Sequence, residues 1–335
     1  MSLTVRNLSP FSGICALLWM LGIAASVEAV AESLDPEETS FVFTRSIEQH
    51  AGGIESDGDI RVERILNWTR WEFSELAVDQ KTSCFVRDLL SRLKLLDVDS
   101  GRFQIEQLWV QYRQYKEFLN CTEDEVSKLA DNLEQHTDMG ECDAVFYAFR
   151  ESILPSVDIL RKLFLLDTES SSKLYTCLGP QIKQPRQSVF EYCENKFYKH
   201  KRDVRCAARN YVIPDDEDFH RHMDCIFRGL HYFDKQGNLD VNEILHDFHL
   251  VGKTHLANDI LHVLRSCSVN SDFKALSYYE CLIKSDFIEQ FKEALDYREI
   301  RSSDYYYTLK NPMPIYERNR VQHHINSVNR EFCLI

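Results

Sequence analysis

The chain has 335 residues and a formal net charge of −14 at pH 7. This acidic balance argues against a nucleic-acid partner, although it leaves room for a local basic pocket. The length is enough for two domains of ordinary size.

Residues 1–31 have the composition of a secretory signal peptide. Arg6 precedes an apolar run over residues 14–25, which is too short to span a membrane. The small residues Ala29-Val30-Ala31 then suit a signal peptidase, with cleavage after Ala29 as a second choice. No other segment approaches the roughly 20 apolar residues of a spanning helix. We therefore expect a secreted, extracellular protein that begins near Glu32 and has no membrane partner.

Cysteine usage agrees with an oxidising compartment. One of the 11 cysteines, Cys15, lies in the predicted leader, which leaves ten. An even number of scattered cysteines predicts five disulfides, and the absence of clustered C-x-x-C spacing argues against zinc. The ten are Cys84, Cys121, Cys142, Cys177, Cys193, Cys206, Cys225, Cys267, Cys281 and Cys333.

Helical periodicity dominates the chain after the leader. Two apolar series recur at helical spacing. They are Leu89, Leu90, Leu93 and Leu96, and further on Phe287, Ile288, Phe291 and Leu295. Glycine and proline are few, at 11 and 8, and strand-like alternation is scarce. Breaks are predicted at 154–156 and 179–185. The sequence thus predicts an all-α protein with one domain over 32–180 and another over 181–335.

Four short segments of the first half match segments of the second half in the same order. Residues 42–46 (VFTRS) match 189–193 (VFEYC), and 84–89 (CFVRDL) match 225–230 (CIFRGL). Residues 101–108 (GRFQIEQL) match 237–244 (GNLDVNEI), and Cys142 falls opposite Cys281. The separations of 136 to 147 residues favour a duplication over chance similarity between unrelated helices. Each half would be a cross-linked helical bundle, able to hold an apolar pocket.

The same motifs carry a family resemblance. They are LDPEET at 34–39, FTR at 43–45, WTRW at 68–71, CFVR at 84–87, MDCIFRGL at 223–230 and DYRE at 296–299. In this order they resemble the odorant-binding-protein superfamily of insects, and more closely the long-form salivary D7 proteins of mosquitoes and related blood-feeding flies. The resemblance covers essentially the whole chain after the leader. It implies two tandem odorant-binding-protein-like domains.

The resemblance also implies a disulfide pattern and one departure from it. The implied bridges are Cys84–Cys142, Cys193–Cys225, Cys206–Cys333 and Cys267–Cys281, and we expect Cys121–Cys177 as the fifth. Relatives usually carry a bridged cysteine pair where Ser46 and Asp88 stand. Both partners are absent here, as expected if one disulfide was lost as a unit, which puts in doubt how the first helix is held.

A biogenic-amine site is the clearest chemistry that the resemblance implies, and it falls in the second domain. The matching residues are Arg209, Tyr211, His222, Tyr279, Asp296 and Glu299. Asp296 and Glu299, three apart on a helix, project from one face and can both accept hydrogen bonds from an ammonium. The tyrosines offer ring faces and hydroxyls, and Arg209 with His222 can bond a ring hydroxyl at the far end. A lone D-x-x-E is more often a solvated surface pair, but the full set favours a site.

The first domain is expected to bind a lipid, with cysteinyl leukotrienes as the class that the resemblance implies. Trp68 and Trp71 share a helical face and would form the pocket wall, although tryptophans at this spacing are more often ordinary core. Phe85 stands where some relatives have a tyrosine that bonds a prostanoid hydroxyl. Thromboxane-type ligands are therefore less expected here.

No residues are singled out for catalysis, for a metal or for a cofactor, and the chain is not expected to be an enzyme. Asn67 and Asn120 begin glycosylation sequons. We expect a monomeric salivary scavenger of host amines and eicosanoids that counters vasoconstriction, platelet aggregation and inflammation. The alternatives are a carrier of odorants or adenine nucleotides, and an inhibitor that acts on platelets or coagulation factors through protein contacts.

Overall fold

The computed structural model describes residues 32–50, 58–73, 79–137, 139–303 and 316–333. The predicted leader, residues 1–31, lies outside this part of the chain. Backbone contacts divide the chain into two compact units, with the boundary between Ile182 and Lys183. This boundary lies inside the predicted break at 179–185.

The first unit is almost entirely helical, with one short two-stranded sheet. Its α-helices are α1 (Pro36–His50), α2 (Gly58–Arg70), α3 (Gln80–Arg92), α4 (Ile105–Tyr115), α5 (Glu123–Leu133), α6 (Cys142–Ala148), α7 (Val157–Phe164) and α8 (Thr168–Leu178). Strands β1 (Leu96–Asp97) and β2 (Arg102–Phe103) pair antiparallel between α3 and α4. A π-helical turn at Phe149–Ile153 and 3-10 turns at Leu154–Ser156 and Gly179–Gln181 complete it.

The second unit has the same number of α-helices in its described residues. They are α9 (Val189–Phe197), α10 (Arg202–Arg209), α11 (Phe219–Gly229), α12 (Val241–Leu250), α13 (Ala257–Ser266), α14 (Lys274–Ile283), α15 (Ile288–Ser302) and α16 (Arg318–Cys333). A 3-10 turn, Thr254–Leu256, precedes α13. No helix in the part of the chain described here is long and apolar enough to cross a membrane.

Polar residues at helix starts fix several of these elements. The Asp79 carboxylate accepts a hydrogen bond from the Thr82 backbone N–H at the start of α3, and the Ser188 hydroxyl does the same at the start of α9. Thr122 and Glu125 form a reciprocal capping box at the start of α5. Such caps satisfy backbone N–H groups that have no partner within the helix, and each is worth about 1 kcal/mol.

The two units have separate hydrophobic cores. Phe43, Phe85 and Phe149 are fully buried in the first, and Phe227, Phe248 and Phe291 are fully buried in the second. The core residues come from the apolar faces of the helices, as the sequence periodicity predicts. The chain is therefore all-α in its described residues, as predicted, and divides into two tandem helical units.

The duplication is visible in the turns that follow α3 and α11. Gly101 and Gly237, matched by the sequence repeat, both have positive φ, at 63° and 78°. Lys94 and His231, just past the two helices, also share a left-handed backbone, each with φ of 60°. Glycine has no Cβ to clash in this region, which explains its place in both turns. The two halves thus share an unusual local geometry as well as a sequence pattern.

Four of the five expected disulfides are present. Cys84–Cys142 joins α3 to α6, and the other three are Cys193–Cys225, Cys206–Cys333 and Cys267–Cys281 in the second unit. The repeat is imperfect at its cysteines, because Cys84 is bonded to a late helix whereas Cys225 is bonded to the first helix of its unit. A matched cysteine therefore does not imply a matched bridge.

The expected Cys121–Cys177 bridge is wrong. Cys121 is a free, half-buried thiol just before α5. The expectation rested on these two cysteines being left over, an argument that contains no geometry. Burial raises the pKa of the Cys121 thiol to about 11. Only the thiolate is strongly nucleophilic, so Cys121 is a poorly reactive residue at neutral pH.

Non-covalent contacts join α1 and α3 where the Ser46 and Asp88 positions lack their cysteines. The Asp88 carboxylate accepts a hydrogen bond from Arg92 Nε at 2.9 Å and lies 3.7 Å from His50 Nε2. The Arg92 guanidinium also donates to Gln49 Oε1 at 2.8 Å. Ser46 itself is fully buried between the helices. The first helix is thus held by packing and by polar contacts at its last turn.

Candidate ligand-binding site

All six residues predicted for the amine site line one cavity of the second unit. The space between these side chains has a volume of about 500 Å³ when its opening to solvent is included. Arg209 ends α10, and Tyr211 follows it with φ of 59°. The others come from α11 (His222), α14 (Tyr279) and α15 (Asp296 and Glu299). We call this cavity the amine pocket, after the ligand class that the sequence analysis expects for these residues.

Helix α15 has two polar faces with different partners. Asp296 and Glu299 line the amine pocket. On another face, Arg298 Nη1 lies 2.9 Å from Glu243 Oε1, and Arg301 Nη1 donates to Asp247 Oδ1 at 2.7 Å. These four residues are buried. Buried charges without partners are costly, so this second network strongly restricts how α15 can rotate about its axis.

Arg209 is bound by groups of the pocket wall. Its guanidinium donates to Glu194 Oε2 at 2.8 Å, to Glu299 Oε1 at 3.2 Å and to Asn329 Oδ1 at 3.1 Å. Arg205 Nε also donates to Glu194 Oε2, at 2.7 Å. We expected Arg209 to bond a ring hydroxyl of the ligand. Its contacts show that it also compensates the charge of Glu299, with which it forms an ion pair.

Asp296 differs from Glu299 in having no ion pair among the described residues. It accepts a hydrogen bond from the Tyr211 hydroxyl at 2.6 Å. Burial raises the pKa of Asp296 to about 6, partly opposed by this hydrogen bond, while nearby Glu299 raises it further. Burial and Asp296 together hold the pKa of Tyr211 well above its usual range, so Tyr211 remains a donor. Asp296 is thus a mostly ionised carboxylate at neutral pH that makes no ion pair in the described residues, although Arg209 and Lys292 are near enough to lower its pKa somewhat.

His222 offers two unused polar atoms to the pocket. The side chain is 1% exposed, and neither ring nitrogen has a hydrogen-bond partner within the described chain. Burial, with Arg209 and Arg205 nearby, lowers the pKa of His222 to about 3. The neutral ring therefore carries one donor and one acceptor at neutral pH. Buried polar groups normally have partners, so this exception indicates a place for a ligand group.

The charges around the amine pocket favour a monocation. Three carboxylates line it, and two guanidiniums bind two of them, which leaves the Asp296 charge in excess. The rest of the wall is largely apolar or aromatic, including Phe190, Ile226 and Tyr279. Tyr279 is 3% exposed and packs edge-on against Phe219 and Phe291. This combination suits a flat ring attached to a single ammonium group.

The sequence reasoning missed Glu194 and the wall that α16 contributes. Glu194 is 1% exposed and directly follows the bridged Cys193. A signal for Glu194 was present in the sequence. An acidic residue next to a disulfide cysteine is expected to be buried and so to need a basic partner. Arg205 and Arg209, four residues apart on the next helix, are such partners. Ile325 and Asn329 of α16 also line the pocket. Nothing in the polar sequence of α16 marks it as a pocket wall.

The predicted lipid residues form an aromatic cluster in the first unit. Trp68 stacks on Phe85 with ring centroids 4.2 Å apart, and its Nε1 donates to Thr82 Oγ1 at 3.2 Å. Trp71 packs against Phe43 and Phe149, at 5.4 and 5.9 Å. The Trp71 Nε1 atom is buried without a hydrogen-bond partner in the described residues. Ordinary core packing accounts for Trp68 and Phe85, whereas the unused Trp71 donor is unexplained by packing.

A separate groove of the first unit is not formed by these aromatic residues. Its volume is about 1420 Å³ including the open space above it, and its lining includes Leu66, Leu165 and Leu166 with Arg70 and Lys162. Leu66 and Arg70 project from α2 away from the face that carries Trp68. The groove is therefore distinct from the predicted lipid site.

The two sequons lie in different settings. Asn120 is exposed in the turn before α5, whereas Asn67 is half-buried on α2 beside the buried Trp68. An attached glycan needs an exposed side chain, so Asn120 is the better acceptor. Across the described ranges, no three His, Cys, Asp or Glu side chains are grouped to hold a metal ion. Near His222, Cys225 is occupied by its disulfide.

Comparisons with known proteins agree with this architecture. The PBP/GOBP family model matches residues 177–285. The long form salivary protein D7L1 of Aedes aegypti is 32% identical over 94% of this chain and 98% of its own length. The solved structure of Culex quinquefasciatus D7 long form 1 in complex with ADP has a TM-score of 0.80 and 27% identity, over 90% of this chain and 98% of that one. The structure of an AeD7–leukotriene E4 complex has a TM-score of 0.73 and 33% identity, over 85% of this chain and 95% of that one. By its sequence and by the fold of both units, the chain belongs to the family of long-form salivary D7 proteins.

Proposed function

We propose that the protein is secreted in saliva and sequesters host biogenic amines in the amine pocket of its second unit. The observation that carries this proposal is Asp296, a half-buried carboxylate with no ion pair within the described chain, in a pocket whose wall is largely aromatic and apolar. An amine of the serotonin, histamine or noradrenaline class supplies the missing charge together with a flat ring. Charge-assisted hydrogen bonds of this kind contribute roughly 1.5–3 kcal/mol.

In this proposal, each part of such a ligand has side chains that can bind it. The ammonium lies against Asp296 and Glu299, which are three residues apart on α15. The ring packs near Tyr279 and the apolar wall. A ring hydroxyl or ring N–H reaches the unused nitrogens of His222, which can both donate and accept. The protein acts by stoichiometric binding rather than catalysis, and the proposal requires no cofactor.

We further propose that the first unit binds an eicosanoid of the cysteinyl leukotriene class at the aromatic cluster. The related AeD7 protein forms a complex with leukotriene E4, which supports this ligand class. Trp71 Nε1 is a buried donor that could bond a ligand oxygen. Phe85 has no hydroxyl, so a ligand that depends on a hydrogen bond at this position is disfavoured. Removal of amines and leukotrienes would counter vasoconstriction, platelet aggregation and inflammation during feeding.

An adenine nucleotide is a second candidate ligand. The observation in its favour is the ADP complex of the Culex relative. Odorant carriage and protein-mediated inhibition of platelets or coagulation factors stay as alternatives. Each predicts a different binding partner, so one set of titrations separates them.

The experiment is isothermal titration calorimetry of the mature monomer with serotonin, histamine, noradrenaline, leukotriene E4 and ADP. We expect 1:1 binding of an amine by the unaltered protein. In an Asp296→Asn, Glu299→Gln double variant, we expect amine affinity to fall at least about tenfold. Leukotriene binding serves as the folding control. Unchanged serotonin affinity in the double variant, with the control intact, would reject the amine site.

A further inference from the structure

A second cavity adjoins the amine pocket and shares part of its wall. It lies in the second unit among the end of α10, α15 and α16, and has a volume of about 780 Å³ including its opening. Arg209, Tyr211, Asp296, Ile325 and Asn329 line both cavities. We call this second cavity the vestibule. The two spaces therefore meet at the Tyr211–Asp296 hydrogen bond.

The vestibule differs from the amine pocket in its chemistry. Lys292 and Glu293 of α15 and Gln322 and Asn326 of α16 supply polar side chains to its wall. Tyr316 also lines it and donates a hydrogen bond to Glu293. Acidic and basic groups are both present, so the vestibule has no strong preference for one sign of charge. Its wall suits an uncharged polar group that retains some water.

The position of Asp296 determines what the vestibule can receive. Because Asp296 lines both cavities, an ammonium that contacts it lies at their junction, with the ring on one side and the vestibule on the other. A secondary ammonium keeps two N–H donors, which is the number needed for Asp296 and Glu299 together. The remaining bond of the nitrogen is then free to carry a substituent towards the vestibule.

We infer that the second unit binds aryl-ethylamines whose nitrogen carries a large substituent with a polar end, with the ring in the amine pocket and the substituent in the vestibule. This inference rests on the proposed amine function and extends it from primary amines to a broader class. A pocket closed around the ammonium would reject such ligands, because extra atoms forced into a packed site cost affinity.

The test compares dopamine with dobutamine, which has the same catechol ring but a 4-(4-hydroxyphenyl)butan-2-yl group on the nitrogen. Titration calorimetry of the full mature chain should give affinities for the two that agree within about fivefold. A closed pocket would instead make dobutamine weaker by about tenfold or more. That result, with normal dopamine binding, would overturn the inference and leave the amine site intact. Binding of neither ligand would overturn the inference, and serotonin titrated into the same sample would then decide separately whether the amine function stands.

A pair of variants on α16 locates the substituent. Asn326 is exposed and lines the vestibule but not the amine pocket, whereas His324 is exposed on the same helix and lines neither. Asn326→Trp should weaken dobutamine about tenfold and leave dopamine within about threefold, since a large ring narrows only the vestibule. His324→Trp should change neither. Unchanged dobutamine affinity in Asn326→Trp, or an equal loss for both ligands, would show that the substituent does not occupy the vestibule.

Discussion

Asp296→Asn should make the protein more stable while it abolishes most of its affinity for amines. In the folded protein the pKa of Asp296 is raised from its ordinary 3.8 to about 6, mainly by burial. A raised carboxylate pKa means that the ionised form is disfavoured in the folded state relative to the unfolded state. This destabilisation acts in full above pH 6. It disappears gradually as the pH falls from 6 towards 4, so the free energy of unfolding rises over that range.

The size of the effect follows from the same shift. At about 1.4 kcal/mol for each tenfold change in proton affinity, ionised Asp296 costs the folded state up to about 3 kcal/mol at pH 7.4. Asparagine has nearly the same shape and no charge, and its amide oxygen can still accept from Tyr211. Because that hydrogen bond loses its charge assistance, we expect a net gain of about 1–2 kcal/mol. For a unit of this size the gain corresponds to a rise in Tm of roughly 2–8 °C.

The assay is urea and thermal unfolding of both proteins at pH 7.4 and at pH 5, followed by circular dichroism. The stability gain should be largest at pH 7.4 and should shrink at pH 5. Glu299→Gln is the matched control, because it removes a carboxylate that is already paired with Arg209 and should not stabilise the fold. An Asp296→Asn protein that loses amine binding without gaining stability at pH 7.4 would refute the view that Asp296 holds an uncompensated charge.

Three further predictions concern pH, the second face of α15 and the first unit. Amine affinity measured by calorimetry should fall between pH 7.4 and pH 5, because Asp296 takes up a proton near pH 6 while His222, with a pKa of about 3, stays neutral. Arg298→Leu should lower the free energy of unfolding by about 3–5 kcal/mol in urea titrations, because it leaves Glu243 and Asp247 partly uncompensated. Trp68→Ala should weaken leukotriene E4 binding by about 1–3 kcal/mol and leave amine binding nearly unchanged in paired titrations; an equal loss for both ligands would mean that Trp68 only supports the fold.

The fold could be predicted from the sequence because the patterns that determine it are either confined to short segments or repeated along the chain. Apolar periodicity predicted the helices, and the repeat predicted two similar units. The matched glycines, Gly101 and Gly237, do have the same left-handed backbone. The failure at Cys121 and Cys177 has a physical origin, since pairing depends on which sulfurs approach in three dimensions and spacing does not report that.

The grouping of the amine-site residues was also predicted, but their individual tasks were not. Sequence spacing treated Asp296 and Glu299 as equivalent, whereas the structure pairs Glu299 with Arg209 and leaves Asp296 to Tyr211. Glu194, on another helix, also binds Arg209 and was not considered in the sequence analysis. The part of the pocket wall that α16 contributes is also distant in sequence from the other lining residues, so spacing within one segment could not predict it. Charge compensation is a property of the assembled pocket, and no single segment contains it.

The two polar faces of α15 have an evolutionary consequence. Arg298 and Arg301 form ion pairs with α12, while Asp296 and Glu299 line the amine pocket. A mutation on the ligand face can therefore alter which molecule is bound without removing the charges that anchor the helix. Because the two tasks lie on different faces of α15, a duplicated gene can acquire mutations that change the bound ligand while its protein still folds. The ligand specificity of this unit can therefore change with little loss of folding stability.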